Sequence, residues 1–531
     1  MIKSREIPIV VTLIWGTVCF LFFQFFYPYH LFHREQMQLF LLETGYLFSY
    51  FDKPAWLACL SGDFLTQFFY YIGGGALTIT CVLLLLVATG YWTLKKICSN
   101  WLAFIIILIV ATWEAFLNTG QYYPLSSSMA LIGGFFIAGI GLSLNVREVL
   151  KIILNLFLLT IAYWLFGYGM LIALVLIVIG ELQGRLKPTV LFYFLILILP
   201  VLMRSYYLLT VSQAYKYPMN SYWNFPDMQK EAILEMNVEA GRNNWNRVLA
   251  KAQETDLKSS NATYYYNLAN SHFSRLPENL MKYYQPGGYG LFLKLSPKSS
   301  VQSILFSNEA WFWIGDMTMA EHAAMLGQIF SYNNRSSRMV KRLAEINLIN
   351  EEYLAADKYL TMLEHTLCYK EWAKNRRPEN QSKALQKWLN KKRMFCSSID
   401  TLRINNDVVT SLRNLLEHNP KNKAAYDYLL CFQLLTKNIS GFWADYNTYL
   451  KPQGIIPCRL YSEALLIKLT QQNADSSEYI SYKLNKSVVN DFWKYTELFE
   501  KGNAEALKKD YKKTYWFYYH FATMKKRLTA E

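Results

Sequence analysis

Several signatures of common chemistries are missing from this 531-residue chain. Its eight cysteines are scattered, none in CxxC spacing, and no metal-ligand cluster is visible. Strand signals are nearly absent. The one glycine-rich stretch, "YYQPGGYGLF" (Tyr283–Phe292), has neither GxGxxG nor a Lys-Ser/Thr end. It therefore reads as a turn between helices, not a phosphate cradle. The first apolar run is followed by "FYPYHLFHREQ", which offers no small-residue cleavage site, so the run reads as an uncleaved anchor. Few apolar runs are broken by Gly or Pro and no paired repeats are evident among them, which disfavours a transporter. The glycines of "YYIGGGAL" read as aids to close helix packing.

Charge is scarce in the first part. Residues 1–210 hold 11 Lys+Arg and 8 Asp+Glu, against 43 and 31 in the remainder. With 53% of the chain hydrophobic, this split implies two environments, bilayer first and water second. The basic excess suits anionic headgroups or acidic polymers, or simply a solvated surface. Nucleic acid does not fit a domain tethered to a membrane.

A span needs roughly 17–25 mostly apolar residues. Seven stretches qualify: 7–26, 68–91, 101–117, 129–144, 149–166, 168–182 and 189–209. "MIKSR", "LKK", "NVREVLK" and "GRLKP" fall on alternate connections and carry positive charge, while "NTGQYYPLSSS" and "FGYG" carry none. By the positive-inside rule the N-terminus is cytoplasmic, and seven spans put the C-terminal part outside. A bacterial inner membrane with a periplasmic domain fits most simply. The expected architecture is all-α: a transmembrane domain over 1–212 with an external loop at 27–67, then a periplasmic helical domain over 222–531.

That second domain opens after Pro226. "SSRMVKRLAEINLINEEYLAADKYLTMLEHTL" predicts two amphipathic helices joined near Asn350, and "TSLRNLLEHNPKNKAAYDYLLCFQLLTKNISGFW" two more around Asn419–Pro420. Pairs of about 34 residues suggest tetratricopeptide-like repeats, whose stacked faces dock a peptide, glycan or partner protein. The alternative is that the helices only order the membrane part. Glu309, Asp316, Glu321 and His322 lie close in sequence and read as caps or exposed positions. Cysteines 368, 396, 431 and 458 allow a disulfide outside the cytoplasm, or are buried free thiols.

The external loop concentrates His33, Arg34, Glu35, Glu43, Asp52, Lys53 and Asp63 in an otherwise apolar region. Taken singly, each has a bland reading. Glu35 pairs with Arg34; Asp52 and Asp63 are N-caps, for the "DKP" helix and for the second span. Two amphipathic pieces in the loop suit the membrane interface. Glu114 and Arg204 fall within spans three and seven, near their outer ends. They either snorkel, pair with each other, or join the loop charges at the level of a lipid phosphate. Arg binds phosphate in a bidentate manner, and a carboxylate there acts as a general base or holds a divalent metal.

Glu35 soon after the first span, with "FDKPAW" (Phe51–Trp56), resembles the opening loop of membrane glycosyltransferases of the GT-C class. Two departures stand out: "HREQ" replaces an Asp-Glu pair, and Ala55 replaces a second proline. The resemblance implies a polyprenyl-phosphate-linked sugar donor. It makes Glu35 the base or metal ligand and Asp52 an assisting group. Arg204, with Arg34 or Lys53, would hold the lipid phosphate, and Glu114 would help line the site. The stretch "EQMQLFLLETGYLFSYFDKPAWLACLSGDFLTQFFYY", with the later helical repeats, also looks like a family of uncharacterised multispan inner-membrane proteins from Bacteroidota. That family has no function to carry over. The other expectation is a non-enzymatic, membrane-anchored scaffold for envelope assembly.

Overall fold

A computed structural model describes residues 7–182, 188–296, 298–397 and 407–523. Among them every regular element is helical and no strand occurs. The connectors "MIKSR" and, apart from Pro188, "GRLKP" lie outside the described residues. The chain divides into two compact units. One comprises residues 1–231 with 361–374; the other comprises 232–360 with 375–531. Segment 361–374, which the sequence pattern assigns to the soluble helices, thus belongs to the membrane-type unit.

In the first unit, α1 (Ile7–Leu21) runs on through a π turn to Phe26. A short helix, α2 (Tyr29–Gln36), follows; then α3 (Thr44–Phe48), α4 (Trp56–Thr66), α5 (Gly74–Leu94), α6 (Asn100–Leu117), α7 (Leu125–Ser143), α8 (Glu148–Phe166) and α9 (Gly169–Leu182). Five helical stretches are long and apolar enough to cross a membrane: Ile7–Phe26, α5, α6, α7 and α8. Two further apolar stretches, α9 and Val190–Met203, are shorter. In the last of these, a 3-10 run over Pro188–Leu197 precedes the α-helix Ile198–Met203. Pro200 has no N–H to give to an earlier carbonyl, which favours irregular winding here. A 3-10 run rises about 2 Å per residue, so its ten residues cover roughly 20 Å.

The apolar residues of α1, α5 and α6 pack around Phe23, Leu83 and Ile107. The helix α7 is buried along most of its length and touches α4, α5, α8 and α9. Small residues permit this. A Cβ on Gly134 would lie 2.5 Å from the Gly169 carbonyl oxygen, and one on Gly62 would lie 2.3 Å from the Ser126 backbone nitrogen. The α4–α7 and α7–α9 contacts are therefore backbone-to-backbone, the geometry that small residues allow between apolar helices.

The second unit is a succession of short helices, many started by a side-chain cap. Asn244, Ser259, Asp316, Ser336, Ser382, Asp407 and Asn422 each accept a first-turn N–H. The expected helices form on either side of Asn350, as Ser337–Ile349 and Tyr353–Glu364, and around Asn419, as Val408–His418 and Lys423–Leu435. Tyr283–Phe292 contains the tight turn Gly287–Gly290. All eight cysteines are free thiols. Asp316 is a cap, but Glu309 is not on an exposed face. It is buried and bonded by Arg338 (2.8 Å) and Arg342 (2.6 Å). Burial pushes its carboxyl up, yet the two guanidinium groups outweigh this and leave it at about 2.

Gly62→Ala is expected to force α4 and α7 apart. It should cost about 1–3 kcal/mol, the range for overpacking, read as a lower thermal midpoint of the detergent-purified protein.

Candidate functional site

The loop after the first span does not lie open in solvent. It winds into α2, whose His30, His33, Arg34 and Glu35 are all buried. Pro28 starts this helix. The Glu231 carboxylate accepts the N–H of Tyr29 and, at 3.1 Å, of His30, where unpaired first-turn donors and the positive helix end favour an anion. Four ionisable side chains thus enter the interior on one eight-residue helix, and each must find partners there.

Asn118, the residue that ends α6, supplies several of them. Its carbonyl oxygen accepts from His30 Nε2 at 3.0 Å and from Arg34 Nη1 at 3.4 Å. Since a carbonyl only accepts, His30 carries its proton on Nε2. Burial, helped by Arg34, pulls this imidazole down to about 3, so it is neutral. The Asn118 amide donates to Glu114 O and to Ser128 Oγ, both at 3.0 Å. Glu114 Oε1 also accepts from Ser128 Oγ (2.6 Å) and Tyr123 OH (2.9 Å). Glu114 is therefore buried among hydroxyl donors, with the Arg34 charge near enough to act on both groups.

Arg34 is less well provided. Its bonds to Asn118 are long, its Nη2 has no hydrogen-bond partner among the described residues, and its guanidinium faces the Phe69 ring at 5.3 Å. Burial lowers it to about 10, which still leaves a cation at neutral pH. Its neighbour Glu35 points both carboxylate oxygens at the Tyr369 hydroxyl, 2.8 Å from each. Tyr369 comes from segment 361–374, which is also tied to the loop by the Leu42 N–H on the His365 carbonyl.

A second buried group surrounds Asp63. The Tyr50 hydroxyl donates to Asp63 Oδ2 at 2.8 Å, and Tyr46 OH lies 2.8 Å from Tyr50 OH. Lys53 sits over the Tyr50 ring. Burial raises the Asp63 carboxyl to about 6, against the opposing effects of Tyr50 and Lys53. Ser126–Ser128 on α7 link the two groups: Ser128 bonds Glu114, and the Ser126 backbone lies against Gly62, next to Asp63.

Of the expected site residues, Arg34 lies near Glu114, Glu35 is bonded by Tyr369, and Lys53 stands beside Asp63. Asp52 and Arg204 do not join them. Asp52 is exposed at the end of the 3-10 turn Ser49–Asp52, and it is not the cap of α4, whose preceding residue is Ala55. Asp63 is likewise not a cap; it lies inside α4. Arg204 is exposed and its side chain makes no hydrogen bond or ion pair among the described residues, so Glu114 neither pairs with it nor snorkels. Ala55 has φ 57°, a conformation closed to proline.

His30, Asn118, Tyr123, Ser128 and Tyr369 were missed because their role arises from distant segments. The uncharged "NTGQYYPLSSS", which supplies three of them, was the available signal. Among the described residues no three His, Cys, Asp or Glu side chains converge on a metal position. The phenol on Glu35 is a poor companion donor for a divalent cation.

The sequence model of DUF6057, a family of unknown function, matches residues 5–522, and the chain belongs to that family. No curated protein and no solved structure matches it.

The raised Asp63 carboxyl has a signed consequence. Below pH 4 it is protonated folded and unfolded; between about 4 and 6 it ionises first in the unfolded chain, so stability falls as pH rises. The loss should be about 3 kcal/mol. Thermal midpoints across this window should show it in the wild type, while Asp63→Asn should flatten that portion of the profile.

Proposed function

We propose that this chain is a membrane-embedded glycosyltransferase of GT-C-like layout, drawing its sugar from a polyprenyl-phosphate carrier at the periplasmic face of a bacterial inner membrane. The observation that carries this reading is the pair Arg34 and Glu35. They are adjacent, buried, and carried on the helix that leaves the first apolar stretch. An under-bonded guanidinium and a carboxylate on consecutive residues of one short helix, beside a long apolar stretch, have the charges that a lipid phosphate and a sugar acceptor require.

In the reaction, the Glu35 carboxylate takes the proton of an acceptor hydroxyl as that oxygen bonds to the anomeric carbon. The bond from that carbon to the phosphate oxygen breaks, and Arg34 stabilises the charge left on the lipid phosphate. The acceptor hydroxyl would replace the Tyr369 hydroxyl on Glu35. Lys53 is the second cation available for the phosphate. Asp52 and Arg204, being exposed, have no part in this version.

The same reading takes α9 and residues 188–209 as spans six and seven. The 3-10 winding supports the latter, since it lengthens a segment that is short in residues. The alternating basic connectors support a cytoplasmic N-terminus. The paired helices of the second unit support a repeat character like that of tetratricopeptide domains, with a periplasmic protein or glycan as the partner. One observation favours the rival reading of a non-enzymatic anchor and scaffold: Tyr369 already occupies both oxygens of Glu35, as a structural tie would.

Mass-spectrometric profiling of envelope glycans separates the two. Deletion should remove a glycan, wild-type protein should restore it, and Glu35→Gln at matched abundance should fall short by roughly 100-fold or more. Full restoration by Glu35→Gln, or a deletion that alters no glycan, would leave the scaffold reading standing.

A further inference from the structure

The second unit holds a cavity of about 270 Å³ that the transferase reading does not use. Its walls come from four places: the end of helix Ser260–His272, Trp313 near the end of Asn308–Ile314, the last turns of Lys383–Arg393, and the start of Lys423–Leu435. Four lysines border it (391, 392, 421 and 423) against one carboxylate, Asp427. Asp427 is already engaged, by Lys423 at 2.7 Å and by the Tyr461 hydroxyl at 2.7 Å. Lys392 is buried and spends a donor on the Phe312 carbonyl at 3.1 Å, with the Phe312 and Trp313 rings beneath it. Lys391 and Lys421 are exposed at the rim and form no ion pair among the described residues.

Two tryptophans complete the wall. Trp313 is fixed: its indole N–H donates to Ser271 Oγ at 2.9 Å, and His272 stacks on it at 3.5 Å, itself stacked on Trp245. Trp388 is half-buried and borders the open space. The lysines at the end of Lys383–Arg393 suit that helix's negative end, which accounts for their sign. It does not account for an aromatic wall, nor for Lys421 arriving from another helix pair. The cavity also meets the N-terminus of Lys423–Leu435, where first-turn N–H groups lack acceptors within the helix.

Positive charge beside a flat aromatic face, with Ser271 and Ser274 as hydroxyl partners, selects a ligand with an apolar ring face, hydroxyls and an anion. The volume is just under the roughly 300 Å³ at which drug-sized pockets begin, which is too small for a nucleotide with its base, ribose and phosphate. We propose that this cavity binds one acidic sugar unit, a pyranose bearing a carboxylate or phosphate, laid on Trp388 with its anion between Lys391 and Lys421. The site is independent of Arg34 and Glu35 and stands whether or not the chain is a transferase.

Saturation-transfer NMR on the full-length protein in detergent tests it, with glucuronate, glucose 6-phosphate, glucose and inorganic phosphate as probes. At least one of the two acidic sugars should bind roughly tenfold more tightly than glucose or phosphate, and added salt should weaken it. Which one it is distinguishes a carboxylate from a phosphate ligand. The double variant K391Q/K421Q, at two exposed positions, should lose roughly tenfold in affinity with an unchanged thermal midpoint; W388A should lose ring contact while K391Q/K421Q still shows residual sugar signal. Three results would overturn the proposal: neither acidic sugar binds, phosphate alone binds as well as the sugars, or K391Q/K421Q binds as the wild type does.

Discussion

The first unit depends on how charges are satisfied where little water reaches them. A buried carboxylate or guanidinium costs several kcal/mol unless bonded, and removing one partner of a buried pair costs about 3–5 kcal/mol. Here the cost is met through a neutral intermediary. Asn118 accepts from His30 and Arg34 through its carbonyl and donates to Glu114 and Ser128 through its amide. One residue at the end of α6 thereby ties α2 to α7. Burial keeps His30 neutral, which lets Arg34 remain a cation beside it without a second positive charge.

The second unit solves the same problem differently. Glu309 meets Arg338 and Arg342 directly, two charge-assisted contacts on one carboxylate, and Arg342 also lies over the Phe312 ring at 3.7 Å. This knot is complete, and nothing in it asks for a ligand. Arg34 is the contrast: a buried cation with long neutral bonds and one nitrogen without a hydrogen-bond partner among the described residues. An incomplete shell around a buried charge is what separates a candidate site from a structural pair. Phe312 connects this knot to the lysine-bordered cavity, since its carbonyl and ring also hold Lys392.

Much of the fold was legible. Long apolar runs can only bury backbone polar groups in lipid as helices, so α1, α5, α6, α7 and α8 follow from composition. Helix starts in the second unit were legible where Ser, Asp or Asn precedes an amphipathic run, as at Ser336 and Asp407. The loop charges were legible as a concentration but not as an arrangement. The same cap rule failed at Asp52 and Asp63, because the left-handed Ala55, three residues after Asp52, is the residue that precedes α4, and Asp63 falls in the interior of that helix.

What the sequence by itself determined is the helical class, the apolar stretches, the polar second part, and the presence of Arg34, Glu35 and Glu114 among greasy neighbours. Those follow from local composition and periodicity, which act over a few turns. Only the tertiary structure decided which charges meet. Glu35 finds Tyr369 more than three hundred positions away, Arg34 finds the end of α6, and Arg204 finds no one among the described residues. Pairing across such distances depends on how helix faces are rotated and how closely backbones approach. Those quantities are set by packing at residues such as Gly62 and Gly134, and no stretch of sequence reports them alone.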